Sequence, residues 1–218
     1  MAGATLLISS KNYSSWSLRG FLLVRLSGLP FEEKVVAPDD PANLAELLMQ
    51  SSSIRIPALL HDDVTIWDTL AIAEYLNELH PDAGMLPIDR VARARCRSIS
   101  GEMHSGFSAL RAALPMNLRL FRPGFQVWSA VRADIARINE IWRECLDTWH
   151  GPWLFGAAPT IADAMYAPVV TRFRTYDVAQ DPVCEAYCRT VMAWPDIRDW
   201  WAAAQKEPDQ IDELDVEF

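Results

Sequence analysis

Between Arg55 and Leu76 the chain reads R-I-P-A-L-L-H-D-D-V-T-I-W-D-T-L-A-I-A-E-Y-L, and this stretch holds residue types suited to receiving a small anion. Asp68-Thr69 stands where a helix should begin, because Ile72, Tyr75, Leu76 and Leu79 then recur at helical spacing. The first four N–H groups of a helix lack internal partners and its dipole favours negative charge, so this start can take a ligand carboxylate. The same Asp and Thr can equally serve as an ordinary cap. Ile56-Pro57 precedes a short apolar run, a place where a cis X-Pro bond can be locked in. Further hydroxyls lie upstream in a polar run, Lys11–Ser17, where Ser14 or Ser15 can cap the helix that follows. Downstream, Thr160-Ile-Ala-Asp163 is a capping box with Asp in place of the usual Glu. His104 and Arg111 lie seven residues apart on one face of a predicted helix, with Phe107 and Leu110 between them.

These residues must be positioned by strands and helices that the pattern also predicts. Thr5–Ser9 is a continuously apolar strand of the kind buried on both faces of a sheet. A helix with Leu18, Phe21, Leu22, Leu26 and Leu29 inward follows the polar loop and ends at Gly28 and Pro30. Phe31–Val36 is a second strand, and the resulting βαβ unit implies a parallel pair. Asp39–Gln50 reads as a short helix begun by Pro41. Then come strand Ala58–Leu60, the turn His61-Asp62-Asp63, strand Val64–Trp67 and the Asp68-Thr69 helix. The order β-α-β-α-β-β-α is that of a thioredoxin-like domain.

Past His80–Gly84 the strand signals vanish, and Met85–Asp89 reads as a short linker. Val91–Leu114 is expected as one helix with Val91, Ala94, Ile99, Met103, Phe107, Leu110 and Leu114 in a single stripe. Trp128, Val131, Ile135, Ile138, Trp142, Cys145 and Trp149 step by three and four in a second long helix. A helix runs from the Thr160 box through Arg174, two shorter ones cover Pro182–Ala193 and Asp196–Gln205, and an acidic tail follows. The fold class expected is α+β, a thioredoxin-like domain at 1–82 and an all-helical domain at 88–218.

Bulk properties narrow the function classes. The 218 residues are 50% hydrophobic and 22% charged, enough to bury a good core. A net charge of −9 argues against nucleic acid or an anionic membrane surface as the main partner. No run of about 18 apolar residues is present to span a bilayer, and no secretory signal is evident. Four cysteines are too few for a disulfide scaffold, so a reducing cytoplasm is expected and Cys184 and Cys188 read as structural thiols. No metal site is expected.

Three motifs, taken in order, resemble the cytosolic glutathione S-transferases: Ser14-Ser-Trp-Ser-Leu-Arg19, Ile56-Pro57 followed by Asp68-Thr69-Leu-Ala-Ile-Ala-Glu-Tyr-Leu76, and Thr160-Ile-Ala-Asp163. The resemblance covers essentially the whole chain and is closest to serine-type, zeta-like bacterial members, in which a Ser-Ser-Cys-Ser run precedes an Arg. It implies glutathione as co-substrate, a homodimer and a detoxification-type transferase. Such an enzyme lowers a thiol pKa from about 8.5 and adds the thiolate to a small hydrophobic electrophile. A maleylacetoacetate-type isomerase, a glutathione peroxidase or reductase, and a non-catalytic binding protein on the same fold are the alternatives.

Carried onto this sequence, the resemblance gives thiol activation to Ser14, with Ser15 second and Tyr13 a third hydroxyl. Ile56, beside a cis Pro57, would pair its backbone with the cysteinyl part of glutathione. Thr69 would hold the γ-glutamyl carboxylate, Asp68 would face the ammonium group and Arg55 would meet the glycyl carboxylate. Tyr13, Trp16, His104, Phe107 and Arg111 would form the electrophile pocket, and Thr160 and Asp163 a structural cap. The chain departs from the family in having Asp-Thr for the more frequent Glu-Ser or Gln-Ser, and Ser51-Ser52 where relatives often carry Asn-Pro. It also departs from the isomerase pattern, with Trp16 in place of the motif cysteine and Thr175 where isomerases place an arginine, Arg172 and Arg174 being close but offset.

Overall fold

The computed structural model describes residues 3–36 and 55–208, so the expected helix at 39–50, Ser51-Ser52 and the tail from 209 onward lie outside the described residues. Four strands, β1 (Ala4–Ile8), β2 (Phe31–Val35), β3 (Ala58–His61) and β4 (Val64–Trp67), form one sheet in the order β2-β1-β3-β4. β1 runs parallel to β2, from Ala4 opposite Phe31 to Ile8 opposite Val35, and antiparallel to β3. The parallel pair needs a crossover, which α1 (Ser15–Ser27) supplies before Gly28 turns the chain out at φ 75°. β3 and β4 form the expected hairpin, and α2 (Thr69–Leu79) starts directly after it.

The rest of the described chain is helical: α3 (Arg90–Ser105), α4 (Ser108–Ala113), α5 (Ser129–Trp149), α6 (Ile161–Thr175), α7 (Pro182–Ala193) and α8 (Pro195–Ala204). The fold is therefore α+β, a strand-bearing half followed by an all-helical one. α6 is its axis, with every residue buried except Arg174. Trp142 of α5 packs on Tyr166, Phe173 and Tyr187 with ring centroids 5.9, 5.6 and 4.9 Å away, forming an aromatic core.

Several expectations need correction. The single helix at 91–114 is two, because Gly106 is extended and Phe107 takes a left-handed conformation at φ 57°. The inward stripe of α3 is Ala92, Cys96, Ile99 and Met103, whereas Val91 and Ala94 are exposed. Ile99 and Met103 face inward as expected, and only the first turns differ, where Ala92 and Cys96 take the inward positions. α1 begins at Ser15, inside the expected polar loop, because Ser14 caps it. Leu79 and Trp128 point outward, 40% and 55% exposed. Met85–Asp89 is anchored rather than slack: Met85 and Leu86 are buried, and Met85 O accepts the N–H of Ile161 at 2.9 Å.

Two polar anchors hold the halves in register. Arg19 of α1 is fully buried and donates through Nε to Met165 O of α6 at 2.8 Å. The Glu207 carboxylate, just past α8, accepts from Ser10 Oγ and from the N–H groups of Lys11 and Asn12 at 2.7, 2.8 and 3.0 Å, pinning the loop that leads into α1. Within α6 the Thr160 box closes as expected. Buried Asp163 accepts from Thr160 N, Thr160 Oγ1, Leu154 N and Tyr187 OH at 2.8, 2.9, 3.1 and 3.0 Å. Burial pushes its pKa up and these four donors pull it back.

An amide at this position would turn an NH₂ toward at least one of those donors and strand it. Asp163→Asn is therefore expected to lower unfolding free energy by about 2–4 kcal/mol, the cost of one or two buried unsatisfied groups, with an unchanged urea m-value. A shift in urea midpoint no larger than that of an exposed Asp→Asn control would remove the cap from this role.

Candidate active site

A cavity of about 300 Å³ opens where the two halves meet, lined by Trp16, Arg55, Ile56, Pro57, Asp68, Thr69 and His104. Three local structures converge there. The first is the N-terminus of α1. Ser14 is its N-cap, with Oγ accepting the N–H of Ser17 at 3.2 Å and donating to Ser17 Oγ at 2.9 Å. Ser17 Oγ also receives the N–H of Ser9 at 3.0 Å, so it keeps a partner if Ser14 turns its proton elsewhere. Ser15 is 8% exposed, and no hydrogen bond engages its hydroxyl.

The second is the entry to β3. The Ile56-Pro57 bond is cis, and the Pro57 ring packs over Gly20 of α1 so closely that a Cβ built there would stand 2.8 Å from Pro57 Cβ and Cγ. Gly20 is thus required by the approach of α1 to this bend. Arg55, exposed, stands at the cavity edge.

The third is the start of α2. Asp68, at φ 76°, caps the helix through Oδ1, which accepts from Leu70 N at 2.8 Å and Ala71 N at 3.4 Å. Its Oδ2 lies 2.7 Å from His104 Nε2, so α3 of the helical half is tied directly to the N-cap of α2. Thr69 is 2% exposed, and its Oγ1 is buried without a hydrogen-bond partner. A native fold rarely strands a buried hydroxyl, and one at a helix N-terminus lining a cavity can donate to a ligand anion.

Trp16 links these parts to the helical half. Its ring lies 5.2 Å from that of His104, with the guanidinium carbons of Arg19 and Arg111 at 4.5 and 4.7 Å. Arg19 was not singled out from sequence, although an arginine between Leu18 and Phe21 on an inward face was a signal of a buried cation. Tyr13 is buried away from the lining, with the Arg119 guanidinium 5.9 Å from its ring. Phe107 is 8% exposed, packed into the core at the break between α3 and α4. The arginines flanking Thr175 are occupied: Arg172 is buried on the carbonyls of Leu114 and Pro168, and Arg174 stacks on Trp201 at 4.7 Å.

No protein thiol suits nucleophilic work. Burial pushes Cys96, Cys184 and Cys188 up to about 12 and Cys145 up to about 11, far from the depressed values of reactive cysteines. Among the described residues no group of three His, Cys, Asp or Glu is placed to hold a metal ion.

Known proteins agree with this architecture. Residues 13–79 match the glutathione S-transferase N-terminal domain and residues 102–203 the glutathione S-transferase C-terminal domain. A probable maleylacetoacetate isomerase of Caenorhabditis elegans is 28% identical over 170 residues, 77% of this chain and 78% of that protein. A probable glutathione S-transferase of Nicotiana plumbaginifolia is 23% identical over 189 residues, 83% of this chain and 79% of that one. Among solved structures, a glutathione transferase homologue from Burkholderia with bound glutathione superposes with a TM-score of 0.72 at 24% identity, covering 94% of this chain and 100% of that one. Matched in both halves and over nearly its full length, the chain belongs to the glutathione S-transferase family.

Proposed function

We propose that this protein binds glutathione in the cavity at the domain seam, ionises its thiol at the N-terminus of α1 and transfers it to a small electrophile. The observation that carries the reading is Thr69 Oγ1, a buried orphan hydroxyl at the start of α2 inside the cavity. It and the backbone N–H of the same residue suit the γ-glutamyl carboxylate, the next two N–H groups being taken by Asp68. The Ile56 backbone at the cis bend would pair with the cysteinyl segment as an added strand does, and Arg55 would meet the glycyl carboxylate. Asp68 would face the ammonium group with lone pairs left over from its bonds to α2 and His104. The thiol would lie near Ser14 and Ser15, where a donated hydrogen bond and the helix dipole both favour the thiolate.

Isomerisation is the second reading, favoured by the similarity to maleylacetoacetate isomerases. Against it stand Trp16 in place of the motif cysteine and the commitment of Arg172 and Arg174 to packing. We also assign the protein to the cytoplasm, supported by its four unpaired cysteines, and divide it into units at 1–82 and 88–218.

Thr69→Val separates binding from folding. Replacing an orphan hydroxyl by a methyl should leave the urea midpoint equal or higher, while glutathione affinity by calorimetry falls about 10–100-fold, the worth of a hydrogen bond to a charged group. Unchanged affinity would remove Thr69 from the site, and no binding by the wild type at millimolar glutathione would end the whole reading.

Thiol activation is read from the ultraviolet absorbance of bound glutathione thiolate against pH. Ser14→Ala is expected to raise the bound thiol pKa by one to two units, equivalent to about 1.5–3 kcal/mol, and to cost about 1 kcal/mol of stability as a lost cap. An unshifted titration in Ser14→Ala together with a shifted one in Ser15→Ala would transfer the role to Ser15.

A homodimer is the proposed assembly. Ile88 and Val91, 96% and 68% exposed at the start of α3, are the apolar side chains offered for its contact. Sedimentation should return a two-chain mass that Val91→Glu shifts toward one chain. A one-chain wild-type mass at micromolar concentration would refute it.

A further inference from the structure

Arg19, Arg111 and Arg172 gather at one end of the domain seam, and none of them is ion-paired with a carboxylate among the described residues. Arg19 and Arg172 are 0% and 4% exposed, and their donors go to main-chain carbonyls: Met165 and Ser15 for Arg19, Leu114 and Pro168 for Arg172. Arg19 Nη2 is buried with no partner at all. Arg111 is the member of the group that reaches toward solvent. It lies on the Trp16 ring and makes only a long contact, 3.5 Å, to His104 O. Burial depresses the pKa of all three, and repulsion by its neighbours adds to this for Arg19 and for Arg172, which falls to about 10.

Arg93 and Arg132 also bond only main-chain carbonyls, but they are not buried; Arg19 and Arg172 are. The chain holds 29 acidic against 20 basic residues, so counter-charges are plentiful. Arg25, Arg97 and Arg137 each take one, from Asp196, Glu74 and Glu102. Three guanidiniums left together without a carboxylate, one with an orphan donor, are costly in the empty protein and favour an anion brought from outside.

We propose that the electrophile of this enzyme carries a carboxylate, bound by the Arg111 guanidinium beside Trp16 in the field of Arg19 and Arg172. The proposal rests on the glutathione reading above and names the class of the second substrate. Trp16 lines the cavity and carries Arg111 on its ring, so the carboxylate is held one side chain away from the glutathione site. A guanidinium receives a carboxylate through two parallel hydrogen bonds, and the indole offers its face to an apolar body.

The test uses two aryl chlorides that differ in charge, 4-chloro-3,5-dinitrobenzoate and 4-chloro-3,5-dinitrobenzamide. In both, the glutathione sulfur bonds to the ring carbon, chloride leaves with the bonding pair and the thiol proton passes to buffer. After division by the uncatalysed rates, wild type should favour the benzoate at least tenfold in kcat/KM. Arg111→Met keeps much of the stem on Trp16. It should lose at least tenfold more on the benzoate than on the benzamide, chiefly through KM, with glutathione affinity changed less than twofold. Arg111→Lys, which retains charge without the paired donors, should fall between. On wild type alone, unreactive 3,5-dinitrobenzoate should inhibit competitively against the aryl chloride and 3,5-dinitrobenzamide should not. Equal losses on both substrates would assign the guanidinium to the thiolate or the fold and overturn the proposal. So would a parallel loss of glutathione affinity, which would make the anion one of glutathione's own carboxylates, or a wild type indifferent to charge. Absence of glutathione binding by the wild type overturns instead the reading on which the proposal rests.

Discussion

The buried contact between α1 and α6 is the constraint from which the site follows. A guanidinium sealed at 0% exposure cannot drift, because any movement strands donors that water cannot reach. Arg19 Nε on Met165 O therefore fixes both the rotation and the height of α1 against the helical half. With α1 set, Gly20 faces the Pro57 ring, and Trp16, which lines the cavity two residues after the Ser14 cap, faces His104. The cavity has walls from both halves, so the seam is what makes it one site. Glu207 adds a second restraint on the loop entering α1, tying the far end of the described chain to its beginning.

Polar groups that serve the fold and those of the cavity differ in how fully they are satisfied. Asp163 is buried with four donors and belongs wholly to the fold. Asp68 is intermediate: one oxygen holds the start of α2 and the other holds His104, which leaves the carboxylate positioned but not saturated. Thr69 Oγ1 and Arg19 Nη2 are buried and bond to nothing. Buried orphans also occur away from the cavity, at Ser100 Oγ and Trp142 Nε1 among others, so an orphan marks available binding energy only where, as at Thr69, it also lines an opening.

Much of this was readable before any coordinates. The hairpin, the α2 cap, the α1 stop at Gly28 and the Thr160 box depend on neighbours within about four residues, the range over which spacing and cap chemistry act. What could not be read depends on distance in space. The break at Gly106-Phe107 interrupts a stripe whose period runs on through it, so only packing ends α3 there. Val91 fits the apolar spacing yet faces out, since a short window leaves the phase of a helix free. His104 reaching Asp68 joins residues 36 apart in sequence, and Arg19 packed on Met165 joins residues 146 apart. Neither link leaves a local mark beyond a polar side chain in an apolar context.

The two halves also divide the chemistry. The residues proposed for glutathione, from Ser14 to Thr69, all come from the strand-bearing half, where backbone geometry and helix ends would do the recognising. Such devices see a peptide, two carboxylates and a thiol, and they would serve a transferase, an isomerase or a reductase equally. The choice of second substrate falls to side chains that the helical half adds around Trp16, chiefly His104 and Arg111. His104 is already turned to Asp68, so the helical-half side chain on Trp16 with unspent donors is the Arg111 guanidinium, which lies on the indole rather than among the residues lining the cavity. A neutral apolar electrophile would leave that cation desolvated and unpaired on binding, whereas an acidic one would relieve it. Within a family scaffold that fixes the thiol donor, this difference in desolvation can select the acceptor.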